Sequence, residues 1–278
     1  METIIGLGSA GCNITTKFAQ YPQYKTVCID TEDRSYENFI KINRQNSHED
    51  YEANYTELDL SGVSGNATLI LGGSGLISGA ALRILEQLKD HYPDVIYIKP
   101  DVDVITEKAR MRDRLSRQVL QHYARSGAIQ RVYLIDNLKV EEIIGDIPIK
   151  KFWDKINEFI ASTVHMTNVF KNSVPEMSTF STIPATSRIS TFGLTDVETG
   201  EDKLFYDLQY ARERLYYYAI SQKMLTTEAG LFKKIVNQVK SKSKEKTRAS
   251  YGIYPTKYED NYVYTVHHAT MVQDEIIS

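Results

Sequence analysis

Two glycine-rich runs hold the residues best suited to chemistry in this 278-residue chain. The first is Gly6-Leu7-Gly8-Ser9-Ala10-Gly11, continued by Cys12-Asn13; it follows the apolar run Thr3-Ile4-Ile5 and opens a helical pattern. Backbone N–H groups at a helix start lack partners within the helix, and the helix dipole favours an anion there, so the arrangement suits phosphate. The pattern is G-x-G-x-x-G, and Asp30 ends the next strand, where a ribose-binding carboxylate belongs. Asp30 is equally suited to capping a helix over residues 31–36, and a tight turn without ligand is the alternative for the run itself. The second run is Gly72-Gly73-Ser74-Gly75-Leu76-Ile77-Ser78-Gly79, again between a buried strand and a helix. A dinucleotide-dependent oxidoreductase needs one such loop. Two of them at the carboxyl ends of neighbouring strands can hold a di- or triphosphate from two sides.

The elements that must position these loops alternate. Strands are expected over residues 3–5, 25–30, 67–71, 95–99 and 131–135, with an edge strand over 56–60 and short helical pieces over 31–55. Helices are expected over 11–20, 76–91, 107–125 and 148–171. The third of these carries Met111, Leu115, Val119 and Tyr123 as an apolar stripe; the last carries Phe152, Ile156, Phe159, Ile160, Val164 and Phe170. Strands separated by helices of this length imply a parallel sheet covered on both faces, with right-handed crossovers. Residues 172–188 are rich in Ser, Thr and Pro, which reads as a boundary. Beyond it the pattern predicts a strand over 188–194, helices over 203–223 and 228–240, and strands over 249–254 and 262–272 joined by a turn. The expected fold is therefore α/β. It has a Rossmann-like parallel-sheet domain (1–147), a long central helix (148–171) and a smaller C-terminal α/β domain (172–278).

Composition narrows the function classes. The net charge of -3 gives no electrostatic reason to expect direct nucleic-acid binding. Cys12 and Cys28 are the only cysteines, so neither a disulfide framework nor a structural zinc site is expected, and His267-His268 lacks a third metal ligand. The start METIIGLGSAG lacks a signal-peptide pattern, and no apolar window is long enough to span a membrane. A cytoplasmic protein is expected.

Taken in order, these segments resemble the tubulin/FtsZ superfamily. Gly8-Ser9-Ala10-Gly11-Cys12-Asn13 is similar to the GGGGCN segment, and residues 73–79 to the GGGTGTG signature. Lys99-Pro100 followed by Lys108-Ala109-Arg110-Met111 is similar to TKPF…KKRM, Leu134-Ile135-Asp136-Asn137 to IPND, and the helix with Phe152 and Asn157 to the central helix. The order and spacing hold from residue 1 to about 194. The resemblance implies GTP or GDP as cofactor, with any Mg2+ held by the nucleotide rather than by a protein metal site. It implies that Gly8, Ser9, Gly11 and Cys12 lie along the phosphates, with Asn13 near ribose or base. Gly73, Ser74, Gly75, Ser78 and Gly79 would hold the β- and γ-phosphates, Glu107 and Arg110 would approach ribose and phosphates, and Asn137, Phe152 and Asn157 would bind guanine. Read on their own, Phe152 also suits core packing and Asn157 a solvated helix position.

The resemblance has breaks. In the family a loop N-x-D-x-x-D from the next subunit supplies the carboxylates that polarise the attacking water. Counted from Asn157, that loop falls on Met177-Ser178-Thr179-Phe180-Ser181-Thr182, with threonine at both acid positions and Glu176 as the one nearby acid. A hydroxyl is no general base near neutral pH, and losing one typically costs roughly 10²–10⁴-fold. The second loop has Leu76 and Ile77 where the family has Thr and Gly. The expectation is a divergent phage or plasmid version that assembles head to tail with copies of itself, with adaptor or cargo unspecified and hydrolysis weak or absent. Alternatives are an active GTPase using Glu176, a dinucleotide-binding oxidoreductase, and a family-derived binding module without nucleotide.

Overall fold

The computed structural model describes residues 2–273. The chain divides into two compact units, one of residues 2–162 with 272–273 and one of residues 163–271. The first unit begins β1 (Glu2–Leu7), α1 (Gly8–Phe18), β2 (Tyr24–Asp30), β3 (Phe39–Lys41), α2 (His48–Ala53) and β4 (Ala67–Gly72). A 3-10 turn over Leu76–Ala80 then leads into α3 (Ala81–Gln87), β5 (Asp94–Lys99), α4 (Glu107–Ser126), β6 (Arg131–Asp136), α5 (Asn137–Ile144) and α6 (Phe152–Lys171). The boundary between the units falls inside α6. No helix among the described residues is long and apolar enough to cross a membrane.

Within this unit the strands run parallel in the order β3-β2-β1-β4-β5-β6. Their centres are almost wholly apolar, as Ile4-Ile5, Leu69-Ile70-Leu71 and Val95-Ile96-Tyr97 illustrate, because helices cover both faces. The order reverses at β1 and β4, which pair with Leu7 opposite Leu71. Gly11 lets α1 pack onto this pair, since a Cβ there would fall 2.2 Å from the Ile70 carbonyl oxygen.

Three sequence expectations fail here for identifiable reasons. Residues 56–60 form no strand, because the Gln87 side-chain amide serves as ladder partner to Leu58, accepting from its N–H and donating to its carbonyl, both at 3.2 Å. The edge strand is β3 instead. Residues 76–91 divide into a 3-10 turn, α3 and a second 3-10 turn, although Ala80, Ala81, Ile84, Leu85 and Leu88 are buried as expected. On α4 the stripe faces outward: Met111 is 70% and Leu115 51% exposed, whereas Asp113, Ser116, Arg117 and Gln121 are buried. The buried polar groups of that inner face have partners: Ser116 Oγ lies 3.3 Å from His48 Nε2, and Gln121 accepts the Gln273 N–H at 2.7 Å. Arg117 pairs with Asp113 at 3.7 Å, and the Tyr97 hydroxyl lies 2.7 Å from Asp113 Oδ1.

The second unit contains β7 (Met177–Ser178), β8 (Ile189–Thr195), β9 (Asp202–Leu204), β10 (Ala211–Ser221), α7 (Gln222–Thr227), α8 (Leu231–Lys242), β11 (Arg248–Thr256) and β12 (Tyr262–Ala269). Its strand order is β8-β12-β10-β11-β7, with β9 on β8. The helix expected over 203–223 is instead β9 and β10. Leu204, Leu208, Ala211, Leu215 and Ala219 match helical spacing by coincidence. The run Leu215–Ile220 is buried on both faces and rich in Tyr and Ile, which favours a central strand. Tyr216, Tyr218 and Ile220 pack against Leu231, Ile235 and Val239 of α8, while Tyr217 stacks on Phe180 and Tyr254 on the other face. The run Tyr216-Tyr217-Tyr218 is thus strand core, not helix packing. The two closing strands are not neighbours, since β10 lies between them, parallel to β11 and antiparallel to β12. His267 and His268 are both buried.

Two outcomes follow from these contacts. A Cβ on Gly73 would fall 1.5 Å from the Tyr97 hydroxyl oxygen and 2.8 Å from Asp113 Oδ1, whereas one on Gly75 meets only an Ile77 methyl at 3.8 Å. Urea unfolding should show Gly73→Ala losing about 2–4 kcal/mol and Gly75→Ala less than about 0.5 kcal/mol. Burial pushes the His267 imidazole down from 6.5 to about 3, against the opposing pull of Asp202. The unfolded chain therefore takes up a proton near pH 6.5 that the folded chain refuses. The stabilisation is complete above that pH and is lost as pH falls towards 3, at roughly 1.4 kcal/mol per pH unit. His267→Gln should flatten the acid limb of the stability–pH curve.

Candidate functional site

Ligands of open α/β sheets sit beyond the carboxyl ends of the strands, where the strand order reverses. In the first unit both glycine runs lie at that point, one after β1 and one after β4. They touch: the Ile77 Cγ2 methyl stands 2.6 Å from where a Cβ on Gly8 would be, and Ala10 Cβ stands 3.1 Å from the same point on Gly72. Gly8 has a left-handed φ of +69°, so the chain turns from β1 into α1 with no side chain in the turn. The N-cap residue of α1, Leu7, offers no side-chain acceptor to the first N–H groups, and the first turn holds no acid.

Charged side chains surround the two turns. Arg34 donates from a guanidinium NH2 to Ser9 Oγ at 2.6 Å, and its Nε stands 3.3 Å from Asp30 Oδ2. Asp30 is buried; its Oδ1 accepts the Thr31 N–H at 2.8 Å, and its Oδ2 accepts from Ser9 at 3.3 Å. It neither stands free for a ribose nor caps a helix, since residues 31–36 are irregular. Across the edge, Lys99 pairs with Asp136 at 2.7 Å, and Asp136 caps α5 through the Leu138 N–H. On the second loop Arg112 donates to the Ser74 carbonyl at 3.0 Å, and the buried Ser78 hydroxyl turns inward onto the Gly75 carbonyl at 2.7 Å. Gly79 is fixed by α2, since a Cβ there would meet the His48 carbonyl oxygen at 1.9 Å.

The residues singled out from the sequence fall into four groups. Gly8, Ser9, Gly11, Cys12, Asn13, Asp30, Gly73, Ser74, Gly75, Ser78 and Gly79 gather on the two facing turns or the strand end beside them. Cys12 is buried beneath the first turn, where the hydrogen bond with the neighbouring Cys28 thiol and then burial push its own thiol up. Asn13 accepts from the Tyr36 hydroxyl at 3.2 Å. Asn137 opens α5 and Phe152 opens α6, both half-buried, with Phe152 edge-on to Trp153 at 5.1 Å; Asn157 lies half-buried one turn on. Asp154 beside them pairs with Lys17 of α1, so the start of α6 runs alongside α1. Glu107 and Arg110 are exposed on the first turns of α4.

Glu176, Thr179 and Thr182 belong to the second unit. Thr179 is tied to β11, its N–H donating to the Tyr251 carbonyl at 2.8 Å and its Oγ1 accepting the Tyr251 N–H at 3.1 Å. The Thr182 carbonyl accepts from Arg248, and the Glu176 side chain is exposed. Sequence reasoning missed Arg34, Lys99 as an ion-pair partner, and Arg112. The first was signalled only by its spacing of four from Asp30.

No family sequence model and no curated protein matches the chain by sequence. Solved structures do match by shape. An FtsZ dimer from M. jannaschii superposes with a TM-score of 0.71 at 14% identity, covering 97% of this chain and 88% of that one. A GTPγS-form protofilament of TubZ from Bacillus thuringiensis serovar israelensis gives 0.70 at 14%, covering 98% and 87%. GTPγS-bound CetZ2 from Haloferax volcanii, also a protofilament, gives 0.72 at 15%, covering 96% and 92%. A strand order reversing between two glycine turns, together with likeness along nearly the whole chain, gives this protein the tubulin/FtsZ fold.

Proposed function

We propose that the chain binds guanine nucleotide in the crevice between its two glycine turns, assembles head to tail with copies of itself, and hydrolyses GTP weakly or not at all. The observation that carries the reading is the contact of Gly8 with Ile77 at the switch point, which makes two sets of helix-start amides available to one anion. Arg34 adds a cation beside the first set. The similar FtsZ, TubZ and CetZ2 structures are dimers or protofilaments, two of them with GTPγS, which supports the same ligand class and the same mode of self-association here. A head-to-tail contact that does not close gives an open filament. On this reading the functional parts are the nucleotide-binding residues 1–147, the connecting helix 148–171 and the C-terminal part 172–278. The protein works in the cytoplasm of a prokaryotic cell, encoded by a phage or plasmid.

Weak hydrolysis rests on residues 176–182. The two threonines carry no charge, and Thr179 already holds the Tyr251 backbone. The engagement of both Asp30 oxygens argues against the dinucleotide-oxidoreductase alternative, because the carboxylate such a site offers to ribose is occupied. Glu176 is left as the one acid for an active GTPase.

Calorimetry with GDP, GTP, ATP and NAD should show binding of guanine nucleotide alone, and Arg34→Ala should weaken GDP binding about tenfold or more with the fold intact. Binding of NAD but not GDP would refute the proposal. Phosphate release should stay near background in wild type and in Glu176→Ala. Installing both acids, Thr179→Asp with Thr182→Asp, should raise release under assembling conditions by at least about tenfold.

A further inference from the structure

Ile77 stands where the two glycine turns face each other. Its Cγ2 methyl fills the space directly over Gly8 and reaches to within 3.8 Å of a Cβ position on Gly75. Its neighbours offer nothing polar in its place: Leu76 is apolar, and the Ser78 hydroxyl is turned away onto the Gly73 and Gly75 carbonyls at 3.4 and 2.7 Å. The side chains of 76–78 therefore present a branched hydrocarbon, not a hydroxyl, over the start of α1, and only the backbone of this turn is left to donate to an anion. A phosphate oxygen is stable in such a crevice only with donors about 2.7–3.2 Å away. Pressed against a methyl group it loses water and gains no partner. The other side of the crevice differs. There the uncapped amides of α1, Ser9 and the Arg34 guanidinium lie together.

Resting on the guanine-nucleotide reading above, we propose that Ile77 is a specificity-determining wedge that makes the crevice a nucleoside-diphosphate site. The two phosphates of GDP lie along the start of α1 beside Arg34, and the third phosphate of GTP is turned away because its place over Gly8 is taken. Nucleotide then acts as a resident ligand rather than a timer. That agrees with threonines at positions 179 and 182, since a site that disfavours the γ-phosphate has no use for groups that cleave it.

The test is the ratio of GDP to GTP affinity, measured by calorimetry on wild type and Ile77→Ala, with thermal unfolding to confirm the fold. Wild type should bind GDP at least about tenfold more tightly than GTP, and Ile77→Ala should bring the two within about threefold by strengthening GTP. Should Ile77→Ala fail to fold, Ile77→Ser also removes the Cγ2 methyl and adds a small hydroxyl, and the same narrowing is expected. A wild type that binds GTP as tightly as GDP overturns the wedge and leaves the guanine-nucleotide reading standing. So does a ratio unchanged in a folded variant that still binds GDP. A wild type that binds neither nucleotide overturns both.

Discussion

Pairing β1 with β4 in parallel, Leu7 opposite Leu71, sends two strand–helix turns to one edge of the sheet. Everything at the candidate site depends on that pairing. Helices that start from those turns leave their first backbone amides at that edge before any side chain is counted. Glycine is required where the packing there is closest. At position 11 the helix touches the Ile70 carbonyl, and at position 73 the loop rests on the Tyr97 hydroxyl. Substituting either residue forces a shift at that edge.

Electrostatics reinforces the same edge. The amides of α1 are uncapped, Arg34 leans over Ser9, and Arg112 steadies the second loop through the Ser74 carbonyl. Beneath the loop, the Arg117–Asp113 pair and Tyr97 form a buried polar floor. Such a pair contributes little net stability once desolvation is counted, yet removing one partner leaves a buried charge. With Tyr97 it sets the height at which Gly73, and the loop with it, rests. The second unit has a comparable centre in Asp202, which accepts from Tyr216 at 3.0 Å and Thr195 at 3.0 Å and pairs with Lys242 at 3.1 Å. That centre holds β9, β10 and α8 together.

Much of the first unit was legible because its signals are local. Apolar runs ending in glycine mark β1 and β4, and the collinear motifs locate both turns. What stayed hidden was tertiary. The outward stripe Met111–Leu115 misled because apolar spacing was read without the buried Asp113–Arg117 pair that claims the inner face. Residues 203–223 read as helix because a strand buried on both faces does not alternate, and chance spacing of four among its apolar residues mimics a helical stripe. Residues 56–60 read as strand because a side-chain amide, which no pattern reveals, takes the ladder bonds of Leu58. Arg34 went unnoticed because its meaning lies in reaching Ser9, twenty-five residues earlier in sequence.

The central claim is that the two turns bound one anion site. Amide hydrogen exchange with and without GDP tests it directly, because exchange reports each backbone N–H separately. If the turns share the nucleotide, residues 8–13 and 73–79 slow together on addition of GDP while β10 and β12 stay unchanged. Slowing confined to one turn, or to neither, would contradict the account.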